Sequence, residues 1–166
     1  MTVSFLENEI LEQASVLRRL LGRGVEEARE LINPLKGRFH YILIAARGSS
    51  DNAARYAQYL FQIVNHIPVA LATPSVFSVY RQPPQLEGAL VLGISQSGKS
   101  PDVISVLDAA RTQKRPTIAI TNIPGSPLEA SADFTLALDA GPELSVAATK
   151  TYTSSLAAIA LISAAL

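Results

Sequence analysis

Gly93-Ile94-Ser95-Gln96-Ser97-Gly98-Lys99-Ser100 matches the G-x-x-x-x-G-K-[ST] phosphate-loop pattern, with an apolar run before it and a helix-like run after it. In a nucleotide-binding loop of that kind, the hydroxyl after the Lys lies in the first helical turn and meets a magnesium ion. Here Pro101 follows Ser100, and a residue before proline is pushed out of the helical region. Ser100 is therefore expected at the N-cap, with Pro101 at the first helical position and Asp102 in the first turn, where a carboxylate suits the helix dipole. Several hydroxyls beside a helix N-terminus suit a phosphate dianion held without a metal. The P-loop hydrolase reading is kept only as a remote alternative, although Phe134 to Asp139 imitates an apolar strand ending in an acid.

The elements that must position these residues alternate along the chain. Leu6, Ile10, Ala14, Leu17 and Leu21 recur at helical spacing, and Gly22 and Gly24 are expected to break that helix before a second, short one over 26–32. Asn33-Pro34 ends it. Strands are expected over 41–46, 69–71, 89–94, 117–120 and 134–138, and helices over 51–65, 101–112 and 149–166. Apolar strands alternating with helices predict a doubly wound α/β domain: a five-stranded parallel sheet covered on both faces and preceded by N-terminal helices. In such sheets ligands collect beyond the carboxyl ends of the strands. That places Arg47-Gly48-Ser49-Ser50, Ser95 to Ser100 and Asp139 to Glu143 where chemistry is expected. Neither Ser-containing loop has the G-x-G-x-x-G spacing of a dinucleotide site.

Composition narrows the function. Lys plus Arg and Asp plus Glu are both 14 among 166 residues, so no global charge points to nucleic acid or to an anionic membrane. There is no Cys, hence no disulfide, thiolate ligand or Cys nucleophile, and His40 and His66 are too isolated for a His-rich metal site. No metal and no cofactor are expected. The start, Met1 to Ile10, carries Glu7 and Glu9 and lacks the pattern of a signal peptide, so a cytoplasmic location is expected. From Leu156 onward the last helix is apolar or small on every side, which predicts burial all round, either against a longer chain or in a homodimer.

Ala46-Arg47-Gly48-Ser49-Ser50, Ser95-Gln96-Ser97-Gly98-Lys99-Ser100-Pro101 and the segment Ala140-Gly141-Pro142-Glu143 through Lys150 occur in that order. Together they resemble the sugar isomerase (SIS) domain, and most of all the first of two such domains in the isomerase half of glucosamine-6-phosphate synthase and its deaminase-like relatives. The resemblance implies a flavodoxin-like fold over 37–166 after a helical extension over 1–36, as half of a two-domain protein. It implies that Ser95, Gln96, Ser97 and Ser100 hold the phosphate of a hexose or amino-sugar 6-phosphate. Ser49 and Ser50 would lie beside the sugar phosphate, and the backbone of Val146 would approach the sugar. The expected partner is a second SIS domain or a second copy of the chain. Arg47 stands where the synthase often has Cys, and Lys99 where Glu is common. Lys99 is expected to be a solvated surface residue, and Arg47 a structural ion-pair partner. The family's glutamine hydrolysis uses a Cys this chain lacks. Its isomerisation Glu and His lie in the second domain, which leaves Glu143 as a weak local candidate, better explained as serving the N-terminus of the next helix. Isomerase or deaminase is thus the first reading, and a non-catalytic sugar-phosphate sensor is the alternative.

Overall fold

The computed structural model describes Ser4–Leu166; Met1–Val3, the first residues of the start that lacks a signal-peptide pattern, lie outside the described residues. Five strands, β1 (Tyr41–Ala46), β2 (Val69–Leu71), β3 (Ala89–Ile94), β4 (Thr117–Thr121) and β5 (Phe134–Ala137), form one sheet in the order β2-β1-β3-β4-β5. Every pairing is parallel. Helices α1 (Phe5–Ile32), α2 (Ser49–Asn65), α3 (Pro74–Ser78), α4 (Pro101–Thr112), α5 (Pro127–Ala130) and α6 (Lys150–Ala165) cover it. The doubly wound α/β sheet expected from the alternation of apolar runs is the fold observed.

The strand side chains divide by parity. Ile42, Ile44, Leu90, Leu92, Ile118 and Ile120 enter a core with residues of α1, α2 and α6. Leu43, Ala45, Val91 and Ala119 enter a second core with α4 and α5, through Val103, Val106, Leu107 and Leu128. Period-two alternation between two buried faces makes the strands read as continuous apolar runs.

Two expectations are corrected at the helices. Gly22 and Gly24 do not break the first helix, which runs unbroken for 28 residues from Ser4, whose side chain and Glu7 form a capping box. Gly24 is buried where α6 crosses, and a Cβ there would stand 2.5 Å from Leu161 Cδ1. The glycine signals close helix packing, which a breaker rule cannot distinguish from a chain reversal. The second correction concerns α6. It is buried as its composition demands, but by its own chain: α1 and α2 flank it over the sheet, and Ala158, Ile159 and Ile162 join the same core as Leu20, Ala28 and Ile32. Its apolar circumference therefore does not call for a second subunit.

Smaller differences bear on the site. Helix α2 starts at Ser49 rather than Asp51, so both serines belong to its first turn. His66 lies just beyond α2 in a left-handed conformation, φ 56°. The short helices α3 and α5 begin at Pro74 and Pro127, with Ser126 Oγ accepting from Glu129 N at 3.4 Å, and their few residues leave no periodic pattern to read.

The two glycines of α1 should respond oppositely to substitution. Gly22 is exposed with no atom near its missing Cβ, so Gly22→Ala should raise the free energy of urea unfolding by about 0.5–1 kcal/mol through helix propensity alone. Gly24→Val should lower it by about 1–3 kcal/mol, because Leu161 must be displaced from a packed interface.

Candidate functional site

The strand order reverses between β1 and β3, and the chain leaves their carboxyl ends in opposite directions. A crevice forms at such a point by construction. The loops that open there are Arg47-Gly48 and Ser95 to Ser100.

At β1 the chain turns through Gly48, φ 58° and ψ −134°, a conformation open to glycine and strained for other residues. Gly48 is the N-cap of α2, and no side chain caps the helix there. Asp51 N donates to Gly48 O at 3.0 Å, while the N–H groups of Ser49 and Ser50, with their hydroxyls, stand at the positive end of the helix dipole beside the crevice.

At β3 the formal phosphate loop takes on a different structure. Gly93 and Ile94 are strand residues, paired with Ala45 and Ala46. A Cβ on Gly93 would lie 2.7 Å from Leu107 Cδ1, so this glycine serves the packing of α4 on the sheet. Gly98, φ 62°, closes a turn by donating its N–H to Ser95 O at 3.1 Å, and a Cβ there would lie 2.2 Å from Ser126 Oγ. Both glycines of the nucleotide pattern are explained by contacts inside the protein. Gln96 is held by its carbonyl, which accepts from Asn122 N at 3.1 Å, and Ser97 Oγ accepts from Lys99 N at 3.3 Å. Ser100 occupies the N-cap of α4 and Pro101 its first position, as the Pro rule requires, although Ser100 makes no side-chain cap hydrogen bond.

The third wall is the segment between β5 and α6, and carboxylates hold it from two sides. Glu143 accepts from Thr149 N at 2.9 Å, from Thr151 N at 3.2 Å and from the hydroxyls of both threonines. It caps α6, which was the structural role expected for it. From the far side comes Glu9 of α1, only 4% exposed, which accepts from Leu144 N, Ser145 N and Ser145 Oγ. The Ser145 hydroxyl bond, with help from the two amides and the nearby Lys150 ammonium, holds the Glu9 carboxyl below the usual glutamate range against the opposing effect of burial. Lys150 itself is buried, 3% exposed, and paired with Glu12. Asn122 adds a third fastening, donating to Gly141 O and accepting from Ala140 N, both at 2.8 Å.

These walls enclose a cavity of about 270 Å³, near the lower end of ligand-site volumes. Ser49, Ser50, Ser95, Gln96, Ser97, Glu143 and Val146 all line it. Seven of the eight residues singled out from sequence therefore meet in one place. Ser100 and Lys99 do not line it, and Lys99 is exposed. Val146 is fully exposed at the lip. Arg47 lines the cavity and also pairs with Asp102 of α4 at 3.4 Å, while Asp102 accepts from Ser78 Oγ at 2.6 Å.

Sequence reading missed Ser145, Thr151, Tyr152 and Ser155 on the α6 side of the cavity. Thr151 and Ser155 had a signal: hydroxyls at i and i+4 share one face of an otherwise apolar helix. Glu9 had none, because its partners lie more than 130 residues away. Among the described residues no group of three or more His, Cys, Asp or Glu is placed to hold a metal ion, and no helix is long and apolar enough to cross a membrane.

A family model described as the SIS domain matches residues 39–165. The chain belongs to the SIS domain family. It is 36% identical over 97% of its length to the glutamine–fructose-6-phosphate aminotransferase (isomerizing) of Geobacillus kaustophilus, of which the match spans only 28%. Among solved structures it superposes on a candidate phosphosugar isomerase from Silicibacter pomeroyi DSS-3 with a TM-score of 0.93 and 37% identity, covering 98% of this chain and 50% of that one. It superposes on the C-terminal domain of glucosamine-fructose-6-phosphate aminotransferase from Francisella tularensis with a TM-score of 0.83 and 29% identity, covering 98% and 47%. The resemblance read from the three sequence segments is thus confirmed, and the chain spans half or less of the length of these three relatives.

Replacing Glu9 tests how the third wall is held. Glu9→Gln should lower the thermal midpoint at pH 7 and speed amide exchange at Leu144 and Ser145. Because the folded carboxyl titrates low, its contribution is complete above the ordinary glutamate value of about 4.3 and is lost as pH falls through the folded value. The gap in midpoint between wild type and Glu9→Gln should hold from neutral pH down to that region and close below it. Glu7, held low by the Ser4 amide and hydroxyl, is common to both proteins and cancels in the difference.

Proposed function

We propose that this SIS domain is the phosphosugar-binding part of an aldose–ketose isomerase or deaminase acting on hexose or amino-sugar 6-phosphates. The observation that carries the proposal is the convergence of Ser49, Ser50, Ser95, Gln96 and Ser97 at the open N-terminus of α2. The phosphate would be held by Ser95, Gln96 and Ser97 with the first-turn amides of α2, and the sugar would extend toward Val146. Ser100 is retained as a contributor through the loop it terminates. The relatives named for fructose 6-phosphate chemistry support this substrate class.

Turnover is a separate matter. Moving a proton between adjacent carbons needs a positioned base, and among the described residues Glu143 is the one carboxylate lining the cavity. Its oxygens are occupied by two amides and two hydroxyls at the head of α6. In this reading the base comes from a second SIS domain, on the same longer protein or on a second copy. An exposed apolar stripe on α2 supports such pairing: Tyr59 and Ile63, one helical turn apart, are 69% and 68% exposed. The engagement of Glu143 equally favours the second reading, a sugar-phosphate sensor that does not turn its ligand over. A cytoplasmic setting belongs with either reading, since sugar phosphates are intracellular metabolites.

Titration calorimetry with fructose 6-phosphate and glucosamine 6-phosphate, without magnesium, should show binding. Ser97→Ala should weaken it by roughly tenfold to a hundredfold, the range for one hydrogen bond to a charged group. Unchanged affinity in Ser97→Ala and Ser95→Ala would remove the phosphate from this loop, and binding of Mg-ATP in its place would restore the nucleotide reading. A coupled assay of hexose phosphate interconversion separates enzyme from sensor. Sedimentation of the chain by itself separates pairing with a second copy from pairing with a second domain.

A further inference from the structure

At the opposite end of the sheet, beside the amino ends of β4 and β5, lies a second cavity of about 490 Å³. Arg38, Arg111, Lys114 and Arg115 line it, against a single carboxylate, Asp133. The chain as a whole has equal numbers of acidic and basic residues, so this excess of cations is local. Among the described residues none of the four takes part in an ion pair. One oxygen of Asp133, Oδ2, is turned to the sheet, accepting from Thr117 N at 2.9 Å and from Thr117 Oγ1 at 3.0 Å.

The cations are held in place by the backbone. Arg111 Nη1 donates to Ala130 O at 3.0 Å, Arg115 Nε to Gln113 O at 2.9 Å and Arg38 Nη1 to Pro34 O at 3.3 Å. Each guanidinium has five N–H donors, so each is anchored by one and keeps others for a ligand. Near the end of α4 the main chain meets the carbonyls of Ala110 and Arg111, and Arg115 meets that of the C-cap Gln113, so Arg111 and Lys114 are not needed to cap their own helix. Lys114 N donates to Arg111 O and Arg115 N to Ala110 O, both at 2.9 Å, which is the Schellman closure.

That closure puts its penultimate residue in the left-handed region, and the residue there is Lys114, φ 57°, where glycine is favoured. A strained backbone kept with a charged side chain is a sign of use. We infer that this cavity is a second anion site, distinct from the sugar pocket, for a compact polyanion bearing two or more phosphate groups. Charge sets the class: three net positive charges converge on the cavity, and the planar guanidinium forks suit phosphate oxygens. Phe134, half-buried in the wall, offers an apolar surface beside them.

Inorganic pyrophosphate is the probe, titrated into the full chain by calorimetry and, in parallel, into Ser95→Ala/Ser97→Ala, Arg111→Gln/Arg115→Gln and Lys114→Gly. Wild type and the serine variant should bind it with the same affinity, and that affinity should fall steeply with added salt. The double arginine variant should lose at least roughly tenfold. Lys114→Gly should bind more weakly and yet melt at a higher temperature, a combination that a merely structural lysine would not give. Absence of pyrophosphate binding to the wild type at low salt would overturn the inference. So would equal affinity in the arginine variant, or loss of binding in the serine variant alone, which would assign the anion to the sugar pocket.

Discussion

The buried carboxylate of Glu9 is the contact on which the shape of the candidate pocket at the carboxyl end of the sheet depends. The segment between β5 and α6 has no ladder or helix of its own to fix it, yet it supplies one wall of the cavity. A backbone of that kind must find hydrogen-bond partners outside itself. Glu9 supplies them from α1, Glu143 from within the segment, and Asn122 from the end of β4. Removing the Glu9 acceptor would leave the part-buried amides of Leu144 and Ser145 without their partner and free the segment from α1. The N-terminal helix is for this reason part of the site's architecture as well as a cover for the sheet.

The same dependence explains why α1 is long and carries glycine in mid-course. To bring Glu9 to the carboxyl end of the sheet while Leu31 and Ile32 pack near its base, the helix must run the height of the domain beside α6. At the 1.5 Å rise of a helix, its 28 residues span about 42 Å. Close contact over that distance needs a small residue where the two axes approach, and Gly24 is that residue. Arg23, next to it, reaches the other way, to Ala137 O at 2.6 Å and Asp139 at 2.9 Å at the end of β5. Helix α1 is thus fastened to the final strand and to the loop after it.

Much of this was legible in the sequence, and the part that was not has a common cause. The strands, α4 with its Ser100-Pro101 start, and the gathering of three loops at one end of the sheet follow from patterns within about a dozen residues. The extra helices α3 and α5 are too short to be periodic, and Gly24 carries a contact that only the position of Leu161 discloses. Glu9 is the clearest case. In sequence it is an acid interrupting an apolar stretch: Ser4 three residues before Glu7 marks that neighbour as a capping residue, but nothing local marks Glu9 for burial. Its function is decided by a loop at 144–145, and pairings of that kind become visible only when the chain is folded.

Lys99 and Lys114 show how a motif and a conformation differ as evidence. Lys99 is the central residue of a formal nucleotide pattern, yet the pattern's glycines serve Leu107 and Ser126, and the lysine is left in solvent outside the cavity. Lys114 belongs to no motif, yet it occupies a backbone position that disfavours it, among cations that take part in no ion pair among the described residues. A pattern of letters can recur wherever strand, turn and helix recur, because the same small residues suit the same packing. The closure of α4 explains the left-handed φ at Lys114, but it would suit glycine better, so the charged side chain is what packing leaves unexplained. The two ends of the sheet therefore differ in kind: hydroxyls and open amides at the carboxyl end suit a ligand gripped by short hydrogen bonds, whereas fixed guanidinium groups at the amino end suit one held by charge.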